Sequence, residues 1–317
     1  MSDAMPGQAS RASNGRQASL RYGVVLAIAT PLCAEILNGS TTFSEMRQPV
    51  GAVLALVPYS FLALWLASLA TRVPPANLAF LFPVPGLIIE GLGTRSFFDT
   101  AFPDLSTLAG VGMAWDVQWP WTLSLIASHA MTSFIVPFTL AAAAMGSGPD
   151  VVTPTIGRLA AAVLAAFVIF GWWLVPETLW RHVPALIGTA IAIVLLIVLA
   201  RRVRPRATPY VEWTSTRFFI AGFLFVPLNW LTSFFLAPHI GAYAVLAQLV
   251  FLAAYLWFLR HIFFAPCAGT RRLMFVIGYL LPHAIVLSLL GRNDLQYGIV
   301  GWLTLVAVTL LGLRLRR

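Results

Sequence analysis

The apolar residues of this chain are gathered into ten runs, and no other feature limits its folding so strongly. They fall at about 20–37, 50–71, 77–94, 119–145, 155–175, 183–200, 216–237, 241–259, 272–290 and 296–313. Most are roughly 18–25 residues long, the length a helix needs to cross about 30 Å of hydrocarbon. In that medium the backbone must satisfy its own N–H and C=O groups, and runs of this length do so as helices. The reading is an all-α fold, a polytopic transmembrane helical bundle of about ten spans. Only 10% of the 317 residues are charged and 59% are hydrophobic, which excludes a water-soluble enzyme, a nucleic-acid-binding domain and a disordered chain. Residues 1–19, rich in Ser, Arg, Gly and Gln, read as a disordered cytoplasmic tail. Residues 20–317 read as one transmembrane domain.

The few charges fix an expected orientation. All 20 basic residues are arginine. With the N-terminus inside, sixteen fall in cytoplasmic segments, while only Arg47, Arg95, Arg181 and Arg292 fall outside. Such a bias is the positive-inside pattern of an inner (plasma) membrane protein with both termini cytoplasmic. The net charge of +9 therefore points to topology, and no nucleic-acid partner is expected. The partner is the lipid bilayer, and Arg201, Arg202, Arg204 and Arg206, in the basic joint that runs to Arg217, could also bind anionic lipid. Trp119, Trp121, Trp172, Trp173 and Trp180 fall near span ends, where an aromatic belt is expected. The two cysteines, Cys33 and Cys267, form neither a disulfide framework nor a metal-ligand pattern. The longest joint, 94–118, mixes Phe97, Phe98, Phe102, Leu105 and Leu108 with Asp99, Asp104 and Asp116. It is expected to lie in the interface or to dip back over the bundle.

Ionisable groups in hydrocarbon cost at least about 2.5–3.5 kcal/mol each, so they face the bundle interior and mark function. Counted along their spans at 1.5 Å per residue, Glu90, His129, Asn229 and His283 share one layer in the outer half of the membrane. His129 shares a helical stripe with Thr122, Thr132 and Ser133, and Glu90 is bordered by Gly86, Gly93 and Thr94. Asn229 precedes Thr232 and Ser233, and His283 follows Pro282 one turn after Tyr279. Glu35, near the outer end of the first span, reads as an interface residue. A lone His or Asn in a membrane helix also serves structurally, by hydrogen bonding to a neighbouring helix.

Three chemistries fit such a layer. Glu90, His129 and His283 could hold a divalent metal, typically zinc, with an open position for water. Glu90 could instead act as a general base with a histidine as the acid, Arg95 orienting the carboxylate. The same groups could relay protons in a coupled transporter of small solutes. A non-catalytic scaffold is the further alternative. Glu90-Gly-Leu-Gly-Thr-Arg95 and Leu125-Ile-Ala-Ser-His129, with His283, resemble the motifs of the CPBP (CAAX-protease-like) intramembrane protease family. Gly91 stands where that family has a second Glu, and Leu287 where it has an Asn, so Asn229 would have to substitute. The resemblance implies an intramembrane hydrolase with Glu90, Arg95, His129, His283 and Asn229 at its site. Ten spans with both ends inside also resemble drug/metabolite-type transporters. The 90–99 segment followed by the His129 helix resembles uncharacterised bacterial multi-span membrane proteins.

Overall fold

A computed structural model describes residues 20–38, 40–102, 105, 108–146, 152–174, 182–204, 213–263, 269–291 and 295–315. The expected tail 1–19, Trp180 and Arg206 lie outside the described residues. Among the described residues ten long helical elements follow the ten apolar runs. They are α1 (20–31, continuing through Leu32–Ile36), α2 (Pro49–Ala70), α3 (Pro75–Gly93), α4 (Trp119–Met145) and α5 (Pro154–Leu174). The remainder are α6 (Val183–Arg202), α7 (Ser215–Ile240), α8 (Tyr243–Phe263), α9 (Gly269–Leu290) and α10 (Leu295–Arg314). Eight are long and apolar enough to cross a membrane; the exceptions are α1 and α8, whose apolar stretch is the shorter Tyr243–Leu259. The fold is therefore an all-α polytopic bundle.

Local sequence explains where the helices start. Pro49, Pro75, Pro120 and Pro184 occupy first-turn positions, where a missing N–H removes no helical hydrogen bond. The Thr214 side chain caps α7 by accepting from Arg217 N–H. Gly146 ends α4 at φ +62°, its N–H returning to the Ala142 carbonyl, a left-handed cap open to glycine.

Helix ends meet in the alternating order the arginines imply. At one end of the bundle Asn77 Nδ2 donates to the Ala200 and Val203 carbonyls at 3.0 and 2.7 Å. At the other, Gln296 Nε2 reaches the Thr41 carbonyl at 3.4 Å. Small residues let the helices touch. A Cβ at Gly222 of α7 would lie 2.0 Å from the Phe275 carbonyl oxygen of α9, and one at Gly278 would lie 2.1 Å from that of Phe219. Such close backbone approach is how helices associate where lipid offers no hydrophobic drive between them.

The described residues of the 94–118 segment fold back onto the bundle. Phe97, Phe98, Leu105 and Leu108 are buried in a cluster with Trp121, Leu186, Ala237 and Ala244. Gln118 clips it, accepting from Gly110 N–H and donating to the Asp99 carbonyl. Its tip is a hairpin of β1 (Met113–Ala114) and β2 (Val117–Gln118). The two turn residues, Trp115 and Asp116, both have positive φ, as a type I′ turn demands. Trp115 is 87% exposed. The tryptophan expectation is corrected in part: Trp121 and Trp172 point inward, to Ser96 Oγ and the Leu92 carbonyl, while Trp173 is exposed.

Candidate functional site

The interior residues of α4 organise the polar layer. This helix is the most enclosed of the eight spans, and it meets α3 at Gly86, where an added Cβ would stand 2.9 Å from Ile126 Cα. That approach brings Glu90, one turn further on, within reach of His129. Their Oε1 and Nε2 atoms are 2.9 Å apart, and both side chains are buried. The second carboxylate oxygen of Glu90 accepts from the hydroxyls of Ser96 at 2.6 Å and Thr94 at 2.8 Å. Ser96 Oγ in turn accepts from Trp121 Nε1 at 3.2 Å. With Glu90 as a carboxylate, His129 donates from Nε2, and its Nδ1 is left to accept from Ser133 Oγ at 3.2 Å. This order of donors assigns the tautomer from the partners.

Ser96 reaches Glu90 because the chain reverses immediately after α3. Arg95 makes the reversal at φ +62°, a left-handed conformation that costs a side-chain-bearing residue roughly 1–3 kcal/mol. Its side chain is buried and lies in the field of Asp99. Burial pushes the guanidinium below its ordinary value, and Asp99 opposes that shift. Around the carboxylate of Glu90 thus stand His129 and the hydroxyls of Ser96 and Thr94.

The structure adds two residues that the sequence did not single out as site members. The Tyr59 ring stacks on His129, with centroids 5.9 Å apart and planes 19° from parallel. Glu35 is buried beside it, takes a hydrogen bond from the Thr41 hydroxyl, and interacts with Tyr59, His129 and Glu90. Its interface assignment is corrected: two carboxylates flank one imidazole, with a phenol between Glu35 and the ring. The only signal in the sequence was that Glu35, like Glu90, interrupts an apolar run.

The remaining layer residues lie on other faces. Asn229 donates to Ser124 Oγ at 3.2 Å and Asn38 to Ser128 Oγ at 3.4 Å, both on α4 but beside the His129 stripe. His283 Nδ1 contacts the Tyr279 carbonyl at 3.2 Å, its ring packed against Tyr279 and Trp230. Thr122 Oγ1, on the stripe read with His129, is buried without a hydrogen-bond partner. Among the described residues no three His, Cys, Asp or Glu side chains are grouped to hold a metal ion. The expected zinc set of Glu90, His129 and His283 is therefore not grouped among the described residues: His283 packs against the rings of Tyr279 and Trp230.

Backbone geometry marks the same layer. Among the described residues four helical segments are π-helical: Leu32–Ile36 with Glu35, Leu87–Gly93 with Glu90, Met131–Ile135 after His129, and Leu231–Leu236 after Asn229. The wider turns are closed by bonds five residues long, as from Leu37 N–H to Leu32 O and from Thr94 N–H to Ile89 O. π-turns are rare and collect at functional sites.

A family profile covers this whole arrangement, matching residues 24–315. The chain belongs to an uncharacterized membrane protein family. Membership agrees with the apolar helices in making it an integral, multi-pass membrane protein. No curated protein and no solved structure matches the chain. Within this family's matched region lie Glu35, Tyr59, Glu90, Ser96, His129 and Ser133.

Proposed function

We propose that this family member is an inner-membrane carrier that couples movement of a small solute to a proton held by Glu90 and His129. The supporting observation is the buried 2.9 Å contact between carboxylate and imidazole. Two groups that each accept a proton, facing each other out of water, form a site that can be loaded and emptied as its exposure changes. Glu35 and Tyr59 extend the set toward the Thr41 side of the bundle. Interrupted helices support the same reading, since transporter sites near mid-membrane are built from broken spans. Here α1, α3, α4 and α7 all change helical form at the layer. With the arginine-rich ends cytoplasmic, the pair lies in the outer half of the membrane.

The test is flux in proteoliposomes containing a trapped pH indicator, across a panel of small ionic and neutral solutes. A solute that moves protons through the wild type and not through Glu90→Gln supports coupling at this pair. Solute flux that is independent of pH and unchanged in Glu90→Gln would overturn it.

One observation favours a second reading, the hydrolase implied by the CPBP-like motifs. Ser133, His129 and Glu90 stand in hydroxyl–imidazole–carboxylate order, the relation of nucleophile, base and orienting acid in serine hydrolases. Ser133 would then attack an acyl carbon while His129 takes its proton. A fluorophosphonate that labels the wild type but neither Ser133→Ala nor His129→Ala would favour hydrolysis. Absence of labelling beside measured flux would favour the carrier.

A further inference from the structure

A cavity outside the Glu90 network lies at the end of the bundle that carries Arg272 and Arg314. Its volume is about 780 Å³, within the roughly 300–1,000 Å³ typical of ligand sites. One wall is α4 from Phe134, immediately after Ser133, to Ala144. Eleven residues of helix make that wall about 15 Å long. It is apolar except for Thr139, whose hydroxyl donates to the Ile135 carbonyl, and it is faced by Leu273 of α9 and Leu311 of α10. The mouth differs in chemistry: half-buried Arg272 and exposed Arg314 come from the first turn of α9 and the last of α10. The polar layer makes no use of this space.

We propose that the cavity holds one anionic phospholipid of the surrounding membrane, its phosphate between Arg272 and Arg314 and an acyl chain along α4. Shape and charge each contribute to the choice. A long apolar slot fits a hydrocarbon chain, and two cations at its open end select a negative headgroup. Their position at the arginine-rich end places them at headgroup level, where the chain of a bilayer lipid can enter without leaving the membrane. A free anion would leave the apolar wall uncovered, and a neutral lipid would bring no net negative charge to the two cations.

The experiment compares the purified chain in nanodiscs of phosphatidylglycerol and of phosphatidylcholine with identical acyl chains. Melting temperature and lipid retained on transfer to detergent, read by native mass spectrometry, are measured in each. Wild type should melt higher in phosphatidylglycerol and retain one such lipid. Each arginine near an anionic headgroup is worth about fivefold in affinity, so Arg272→Gln with Arg314→Gln should lose roughly twenty-five-fold. Ala143→Trp, which puts an indole into the slot, should also lose the retained lipid while melting normally in phosphatidylcholine. That second measurement separates a filled cavity from a misfolded chain. Retention unchanged in Ala143→Trp would place any bound lipid on the outer surface and overturn the proposal. The same melting shift from inorganic phosphate alone would make the site one for a free anion and overturn it equally.

Discussion

At the scale of single residues, the buried groups differ in how much depends on them. Asn229 makes one side-chain bond across helices, to Ser124, and such bonds in membrane bundles average about 0.6 kcal/mol. Asn229→Ala is therefore expected to lower stability only slightly. Glu90 is bound by three side chains, and deleting it leaves an imidazole and two hydroxyls buried without their acceptor. Breaking a buried pair from one side costs about 3–5 kcal/mol. Glu90→Ala should consequently melt far below wild type in detergent, and Glu90→Gln, which keeps an acceptor oxygen, in between. If Glu90→Ala and Asn229→Ala melted alike, the pair would not be a concentrated source of stability. The sequence exposed Glu90 and His129 because each is a costly residue in an apolar run. It hid Ser96 and Tyr59, since a serine in a joint and a tyrosine in a span are unremarkable until the chain reverses at Arg95 and α2 packs over the imidazole.

At the scale of elements, glycines set which helices touch. Gly86→Ala would drive a methyl against Ile126 Cα, and overpacking of this kind costs roughly 1–3 kcal/mol. Because α3 carries Glu90, the same displacement should weaken the Glu90–His129 contact and reduce any Glu90-dependent activity. Gly188 of α6 has nothing within 4 Å of an added Cβ, so Gly188→Ala should leave melting and activity unchanged. Equal effects of the two substitutions would show that helix propensity, and not the α3–α4 approach, governs the result. First-turn prolines such as Pro49 and Pro154 mark the starts of these helices. The π-turns have no such mark, because one extra residue per turn leaves the apolar pattern of a fully hydrophobic helix unchanged. Ser133, on the π-turn, still meets His129, whereas Thr122, one regular α stretch before it, has a buried hydroxyl with no partner.

For the whole molecule, the orientation expected from the arginines can be measured directly. In a chain carrying Cys33→Ala and Cys267→Ala, Arg72→Cys should react with a membrane-impermeant maleimide only from the cytoplasmic side. Trp115→Cys, at the hairpin tip, should react only from outside. Reaction of both from one face would contradict the ten-span alternation. The sequence by itself determined that this chain is a helical membrane bundle, because run length and hydropathy are properties of each segment and lipid leaves the backbone no other spanning form. It also set an expected depth for the polar groups, since helical rise converts residue number into distance. Only the tertiary structure decided which of those groups meet. Residues at equal depth on different helices converge or diverge according to helix rotation and close approach, and these are set by packing between distant segments. Glu90 and His129 face each other across the Gly86 contact, while His283 at a similar depth turns toward Tyr279 and Trp230.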